Sequence, residues 1–311
     1  SEEKDWVESW LSGIGANRSP WFSGPGSAWE MPFERGSAEE EVKSLMSALH
    51  ETGRITRQEA VSMLPVLALD PTPGQIILDL CASPGSKTTQ ICEHLGDSGA
   101  VVANEVISGR VNTLVTNVQR HASRTVLVVQ HDGRHIPRVP GSGFDGVLVD
   151  VPCTGSGTTR KNPDVWGKWR PSSGRSLHSL QYDLLTRAIE LTKPGGRVVY
   201  STCSLDPIEN EAVVARVLAG GKVRVVPRGD SLSGVPSNPG MTNWPLLNDK
   251  GELDNESKSE EYLIPTKDMA VSSQLNECLR VWNDEIGGGG FFLAVLERIL
   301  EDDVSGVINP F

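Results

Sequence analysis

From residue 75 onward the chain alternates short apolar runs with longer amphipathic segments. "IILDL" (76–80), "AVVANEV" (100–106), "TVLVVQHD" (125–132), "GVLVDVP" (146–152) and "RVVYSTC" (197–203) are rich in aliphatic and β-branched residues. Near-continuous apolar runs of this length suit strands buried on both faces. "GGFFLAVLER" (289–298) alternates more and suits an added antiparallel strand. Between these runs, helical spacing predicts helices over 86–95, 108–121, 177–192 and 207–218; the last opens on Asp206-Pro207, with Glu209 three positions after Asp206. Strand and helix in alternation predict an α/β fold, a mostly parallel sheet with helices on both faces.

The flanks read differently. In "ITRQEAVSML", Thr56 and Glu59 have capping-box spacing, which predicts a helix start there. Residues 1–35 hold four tryptophans among many Gly, Pro and Ser, and are expected to be irregular structure packed on the core. Residues 227–262, rich in Gly, Pro, Ser and Asp, are expected to form an insertion loop. The expected organisation is one catalytic domain over 71–300, an N-terminal cap facing the substrate over 1–70 and a tail over 301–311.

Composition narrows the class. The 311 residues are 38% hydrophobic and 22% charged, ordinary for a globular protein. No run approaches the ~20 apolar residues that cross a bilayer, and "SEEKDWVESW" does not resemble a secretory signal. Cys81, Cys92, Cys153, Cys203 and Cys278 form no C-x-x-C pair, so free thiols are expected and no metal. A net charge of −11 argues against a long polyanion as partner, but its distribution is uneven. Residues 134–175 carry seven Arg or Lys against three Asp, while 249–262 carries six acids and two lysines.

The chemistry gathers where predicted strands end. The first runs into "DLCASPGSKTTQ", a small-residue turn opening a helix, which brings backbone N–H groups to the carboxyl edge of the sheet. It lacks both the dinucleotide fingerprint and the phosphate loop, since Ser86 separates Gly85 from Lys87. Glu105 ends the second strand, where an acid can accept from ribose hydroxyls, and Asp132 ends the third, where it can accept from an amine. A nucleoside without a phosphate cradle suits S-adenosylmethionine better than a nucleotide triphosphate. Cys153 and Cys203 follow the fourth and fifth strands and should lie side by side. A single such cysteine is ordinarily a small buried hydrophobe; two at one ligand edge point to a nucleophile in a polar pocket, which needs help because free Cys has a pKa of about 8.5. Cys92 and Cys278 are expected to be structural.

"DLCASPGSKTTQ", "DVPCTGSGTTRKNPDVWGKW" and "VVYSTCSLDPIENEAVVARVL" resemble the signature motifs of the Sun/Fmu family of RNA (cytosine-5)-methyltransferases; "ITRQEAVSMLP" and "GGFFLAVLER" fit as well. The resemblance covers about residues 50–225 and 275–298 and is strongest to the eukaryotic branch that methylates tRNA. Departures include Glu105 where Asp is commoner, Ser83 and Thr154 as small swaps, and "RVWNDEIGGGG" where relatives usually show a proline.

The resemblance implies a Rossmann-like class I methyltransferase fold with a mostly parallel, seven-stranded sheet, and S-adenosylmethionine as cofactor. It implies Cys203 as the nucleophile that adds to cytosine C6, with Cys153 assisting loss of the C5 proton and release of the enzyme. Asp150 contacts the base edge or the cofactor, and Lys87 positions the base and that carboxylate. The loop Cys81, Ala82, Ser83, Pro84, Gly85, Ser86 and Lys87, with Glu105, Asp132 and Asp150, holds the cofactor. "RKNPDVWGKWR", with Trp166 and Trp169, offers phosphate contacts and stacking surfaces to RNA. The implied partner is tRNA, acted on by a monomer with no membrane or metal, in the nucleus or nucleolus by resemblance, with cytoplasm or an organelle as alternatives. Other readings stay open: another RNA such as rRNA, a protein or small-molecule methyltransferase with structural cysteines, or a non-catalytic RNA-binding assembly factor.

Overall fold

The computed structural model describes residues 2–300 apart from 35, 140, 228–231, 255–260 and 287. The tail over 301–311 and parts of the 227–262 segment lie outside the described residues. Helix α1 (Glu2–Gly13), a small hairpin of β1 (Asn17–Arg18) and β2 (Trp29–Glu30), and α2 (Glu40–Glu51) precede the apolar helix α3 (Ala60–Leu69). Then follow β3 (Ile76–Asp79), α4 (Ser86–Leu95), β4 (Ala100–Asn104), α5 (Ser108–His121), β5 (Val126–Val129) and β6 (Phe144–Asp150). A short α6 (Asp164–Lys168) and the long α7 (Pro171–Leu191) lead into β7 (Thr192–Thr202), α8 (Glu211–Leu218) and β8 (Val223–Val225). The chain closes with β9 (Asn238–Pro239), α9 (Met269–Leu275), β10 (Leu279–Val281) and β11 (Phe291–Arg298).

The sheet order is β5-β4-β3-β6-β7-β11-β10-β9, with β8 also paired to β11. The five strands from β5 to β7 are parallel, and the rest join antiparallel. The described sheet therefore has nine strands, two more than seven, because the short β9 and β10 extend the antiparallel side. The order reverses between β3 and β6, which puts the ends of β3, β4, β6 and β7 on one edge around the switch point, where ligands of α/β sheets bind. β6 is almost wholly buried because helices cover both faces. Leu64, Leu67 and Leu69 of α3 pack with Ile77, Leu148 and Val199 on one face, and Leu184, Leu185 and Ala188 of α7 with Val147 and Val198 on the other.

Four expectations are corrected. Residues 1–35 are not all irregular: Val7, Trp10 and Leu11 of α1, with Ile14 just past its end, stand at helical spacing and pack with Leu45 and Leu49 of α2. The Gly and Pro count concealed this period. No capping box forms at Thr56; α3 starts at Ala60 with Glu59 at its N-cap, and Glu59 Oε1 instead accepts from Gly289 N at 2.8 Å. The helix expected from 207 starts at Glu211, because Glu209 turns inward as described below. Residues 227–262 are more than a loop: β9 lies within them, and Trp244 is buried with Nε1 donating to Leu263 O at 3.0 Å.

One buried ion pair joins the antiparallel side to α8. Arg280 Nε and Nη2 each reach a Glu211 carboxylate oxygen at 2.6 Å, Arg280 Nη1 donates to Leu205 O, and Met241 N donates to Glu211 Oε1. Both side chains are essentially inaccessible to solvent. Removing one partner of such a pair strands the other charge, at a cost of about 3–5 kcal/mol. Arg280→Met is therefore expected to lower the urea midpoint sharply. Adding Glu211→Leu should recover only part of the loss, since the Met241 N–H and Leu205 C=O would still lack partners. Equal stability of Arg280→Met and wild type would refute this account.

Candidate active site

The two thiols meet. Cys153 lies on the turn after β6 and Cys203 follows β7, and their sulfurs are 3.3 Å apart although fifty residues separate them in sequence. The parallel pairing of β6 and β7, with Asp150 opposite Ser201, brings the two strand ends level. Glu209 then fixes the turns. Its carboxylate, fully buried, accepts from Thr154 N and Gln181 Nε2 at 2.9 Å and from the Thr154 and Ser204 hydroxyls at 2.5 Å. One carboxylate thus binds the residue after each cysteine.

Around the thiols stands a polar frame. Lys87 Nζ, from the first turn of α4, is 2.7 Å from Asp150 Oδ2 and donates to Ser62 Oγ at 2.8 Å, while Ser201 Oγ donates to Asp150 Oδ1 at 2.8 Å. Burial opposes the charge on Lys87, but the adjoining Asp150 carboxylate outweighs it and holds the ammonium above its ordinary pKa. The thiols part company electrostatically. A hydrogen bond from Cys153 lowers the Cys203 pKa against the cost of burial, and Lys87 assists. Cys153 is pushed well up by that same bond, by burial, and by Glu209 and Asp150. The hydrogen bond between the thiols thus favours the charged form at Cys203 over Cys153, with Lys87 assisting against burial and Asp150.

A cavity of about 420 Å³ opens in front of Cys203, Lys87 and Asp150. Pro84, Gly85 and Ser86 form part of its wall, with Arg57, Arg120 and Lys161 among the residues that line it. Cys81, Glu105 and Asp132 do not line it, so the turn divides the predicted site residues into two groups. Cys203, Lys87 and Asp150 line the cavity, and Cys153, which does not line it, adjoins it through Cys203.

On the other side the loop is clamped onto α5: Arg110 Nη2 donates to Ser83 O, Ser83 Oγ to Arg110 O, and Asn117 Nδ2 to Pro84 O. Gly85 has a φ of +107°, and a Cβ there would sit 2.9 Å from Leu114 Cδ1, so both backbone and space call for glycine. Ala82 N donates to Asn104 O, and burial pushes the Cys81 thiol far up, leaving it inert. Glu105 is buried, accepting from Ile107 N at 2.9 Å and lying 3.4 Å from Arg110 Nη1. Asp132, at the loop after β5, is gripped through both oxygens by Arg134, chiefly by hydrogen bonding, which brings its pKa to about 2. Cys92 and Cys278 are buried and away from both groups.

Four residues that matter here were not singled out from sequence. Ser62, Ser201 and Glu209 organise the thiols and the Lys87–Asp150 pair; Ser62 is hidden in a helical stretch and Glu209 resembles a helix-start acid. Asp79 ends "IILD" as Asp150 ends its own run, a signal that was legible. Burial raises its pKa to about 6, Thr88 Oγ1 donates to Oδ2 at 2.7 Å, and Oδ1 has no partner among the described residues. An unmatched buried acceptor costs about 1–3 kcal/mol. An edge with such an acceptor, a buried Glu105 and a helix N-terminus fits a small ligand rich in hydroxyl and ammonium donors.

A mostly parallel sheet reversing at β3/β6, with an antiparallel strand beside β7 and acids at the strand ends, defines the fold of class I S-adenosylmethionine-dependent methyltransferases. A methyltransferase homolog protein from Pyrococcus horikoshii superimposes with a TM-score of 0.67 at 29% identity, covering 96% of this chain and 83% of that one. The family model of 16S rRNA methyltransferase RsmB/F matches residues 66–297, and the chain belongs to that family. Among relatives, it is 41% identical to the multisite-specific tRNA:(cytosine-C(5))-methyltransferase of Saccharomyces cerevisiae and 40% identical to the tRNA (cytosine(34)-C(5))-methyltransferase of Drosophila melanogaster. Each match covers 79% of this chain but 39% and 37% of the relative. The chain thus spans about two fifths of the length of these curated relatives.

The split between the thiols is directly measurable. At neutral pH iodoacetamide should label Cys203 before Cys153, because each unit of pKa separation is worth about tenfold in thiolate fraction. Lys87→Met should move the Cys203 labelling profile to higher pH, since the loss of the cation favours the neutral thiol. Faster labelling of Cys153 would reverse the order.

Proposed function

We propose that the protein transfers a methyl group from S-adenosylmethionine to carbon 5 of cytosine in RNA, with tRNA as substrate. The observation that supports this above all is the 3.3 Å approach of Cys153 and Cys203 beside the Lys87–Asp150 pair. A protein or small-molecule methyltransferase has no use for paired thiols beside a polar cavity. Bound S-adenosylmethionine supplies an electrophilic methyl group; the Cys81–Lys87 turn, Glu105 and Asp132 would hold it, with Asp79 beside them.

The chain's own residues account for the remaining steps. Cytosine C5 is a poor nucleophile until a group adds at C6. The Cys203 thiolate forms the S–C6 bond, and the electron pair of the C5=C6 bond becomes available at C5. Asp150, oriented by Lys87 and Ser201, hydrogen-bonds the base edge and so favours addition. After C5 has gained its methyl group, Cys153 assists removal of the C5 proton. The C5=C6 bond re-forms and the S–C6 bond breaks, returning Cys203 as thiolate. The target must leave its stack to reach the cavity, which costs a few kcal/mol unless it already lies in a loop.

Cys203→Ala is expected to abolish methyl transfer and form no adduct. Cys153→Ala should accumulate a protein–RNA adduct that survives denaturing electrophoresis, and the double variant should not. The effects are non-additive because both groups act on one intermediate. Full turnover in the Cys203 variant would end this mechanism. Mapping label from S-adenosylmethionine in total RNA tests the substrate: label confined to rRNA, which the family model's description favours, would replace tRNA by rRNA.

The cofactor reading has its own measurement. Glu105→Ala removes a hydrogen bond to a charged acceptor, worth about 1.5–3 kcal/mol, so calorimetry should show S-adenosylmethionine binding weakened roughly tenfold or more. Unchanged affinity in both Glu105→Ala and Asp132→Ala would place the cofactor elsewhere.

A further inference from the structure

On the far side of the Gly155–Thr158 turn from the cysteine cavity lies a second hollow of about 390 Å³. Its walls include Trp166, Trp282, Leu205, Thr159 and Asn283, with Asp284 also contributing. Trp166 is 77% exposed and Trp282 37% exposed, although large aromatic surfaces are costly to leave in water. Trp282 is held from within: the Arg280 guanidinium, itself locked on Glu211, lies 5.4 Å from its ring centroid, and Trp282 N donates to Glu285 Oε2. Asn283 Nδ2 donates to Gly157 O and to Thr159 Oγ1, which fastens this segment to the turn.

That turn belongs to both hollows. Gly157 N donates to Cys203 O at 2.9 Å and Gly290 N to Gly157 O at 2.8 Å. Thr158 lines the cysteine cavity, whereas Ser156 and Thr159 line the tryptophan hollow. The adjoining stretch 160–170 presents Arg160, Lys161, Lys168 and Arg170 at the surface against the single acid Asp164. An exposed aromatic pair next to a basic strip is the composition of a surface that stacks unpaired bases and follows a phosphate backbone. A protein partner seated here would have to bury that strip of cations.

We propose that the Trp166–Trp282 hollow is a stacking subsite for an unpaired nucleobase adjacent to the target cytosine. The proposal rests on the RNA methyltransferase reading. It goes beyond that reading by assigning a second base to a defined pocket. With the target base in the cysteine cavity and its neighbour across the turn, the Gly155–Thr158 segment separates two consecutive nucleotides. Trp282 then acts as a positioning residue, its ring set by Arg280.

The test uses binding in the absence of cofactor, so that it is independent of turnover. The probes are a single-stranded octaribonucleotide with one central cytosine, and the same backbone lacking the bases on either side of it. Stacking on an aromatic side chain contributes about 5- to 150-fold in affinity. The intact protein should therefore bind the abasic oligomer about tenfold more weakly than the complete one. Trp282→Ala should lose a comparable factor on the complete oligomer and show little further loss on the abasic one, and Trp282→Phe should restore most of it. Trp166→Ala should follow the same pattern. Unchanged affinity of Trp282→Ala for the complete oligomer overturns the proposal. So does an equal loss on both oligomers, or a variant whose only change in sedimentation is loss of self-association, which would make the occupant a second copy. Failure of methyl transfer by the unaltered protein would instead bear on the catalytic reading and leave the stacking measurement standing.

Discussion

The arrangement of this site depends on a single buried carboxylate. Glu209 accepts from the backbone and hydroxyl of Thr154, from Ser204 and from Gln181, and thereby joins the turns after β6 and β7. Among the described residues it makes no salt bridge, so hydrogen bonds alone offset the cost of burying it, a cost that is high for an isolated charge. Parallel pairing makes the two strand ends level, but pairing does not specify where the turns beyond them go. Glu209 does. Its own backbone carbonyl is held by the buried Tyr200 hydroxyl, which roots the tie in β7 two residues before the strand ends.

The edge of the sheet is thereby divided between two chemistries. On one side, Lys87 and Asp150 form a nearly neutral pair that sets hydrogen-bonding direction without placing net charge against a base. On the other, Glu105, Asp79 and Asp132 offer acceptors. The Pro84–Lys87 turn is the partition, and clamping by Arg110 and Asn117 makes it a fixed wall. The same economy appears in the thiols. Both follow strands and both are partly buried, yet the hydrogen bond between them favours the charged form of Cys203 and disfavours that of Cys153, and this difference distinguishes two identical side chains.

Much of this was legible from sequence because the relevant signals are local. Apolar runs of strand length ended in "DLCASPGSK", "DVPC" and "STC", and each motif lies at the edge where its run predicted it. The resemblance supplied the roles, and the geometry brings Lys87, Asp150, Cys153 and Cys203 together as expected. What was missed depends on three-dimensional partners. Glu209 looked like a helix-start acid, because nothing in its neighbours announces Thr154 fifty-five residues away. Thr56 and Glu59 had the spacing of a cap, but Gly289 competed for the carboxylate and won. The α1 stripe was overlooked because Gly and Pro nearby outweighed four residues at helical spacing. Strand ends expected at 106 and 132 retreat to 104 and 129, leaving Glu105 and Asp132 on loops whose arginine partners the pattern did not reveal.

The position of β11 has a further consequence for how the molecule comes into being. This strand is made last among those described, yet it lies directly against β7, with Phe292 opposite Thr202, one residue before Cys203. Every group of the thiol site has left the ribosome long before that neighbour is synthesised. Until residue 298 is available, β7 presents an open hydrogen-bonding edge, and β10, which pairs with β9 on one side, has no strand on the other. Domains form as units during synthesis, so the nascent chain carries an unfinished sheet with its reactive sulfur at the exposed margin. The last strand closes that edge one residue from Cys203, so the surroundings of the sulfur are complete only when the final described strand is in place.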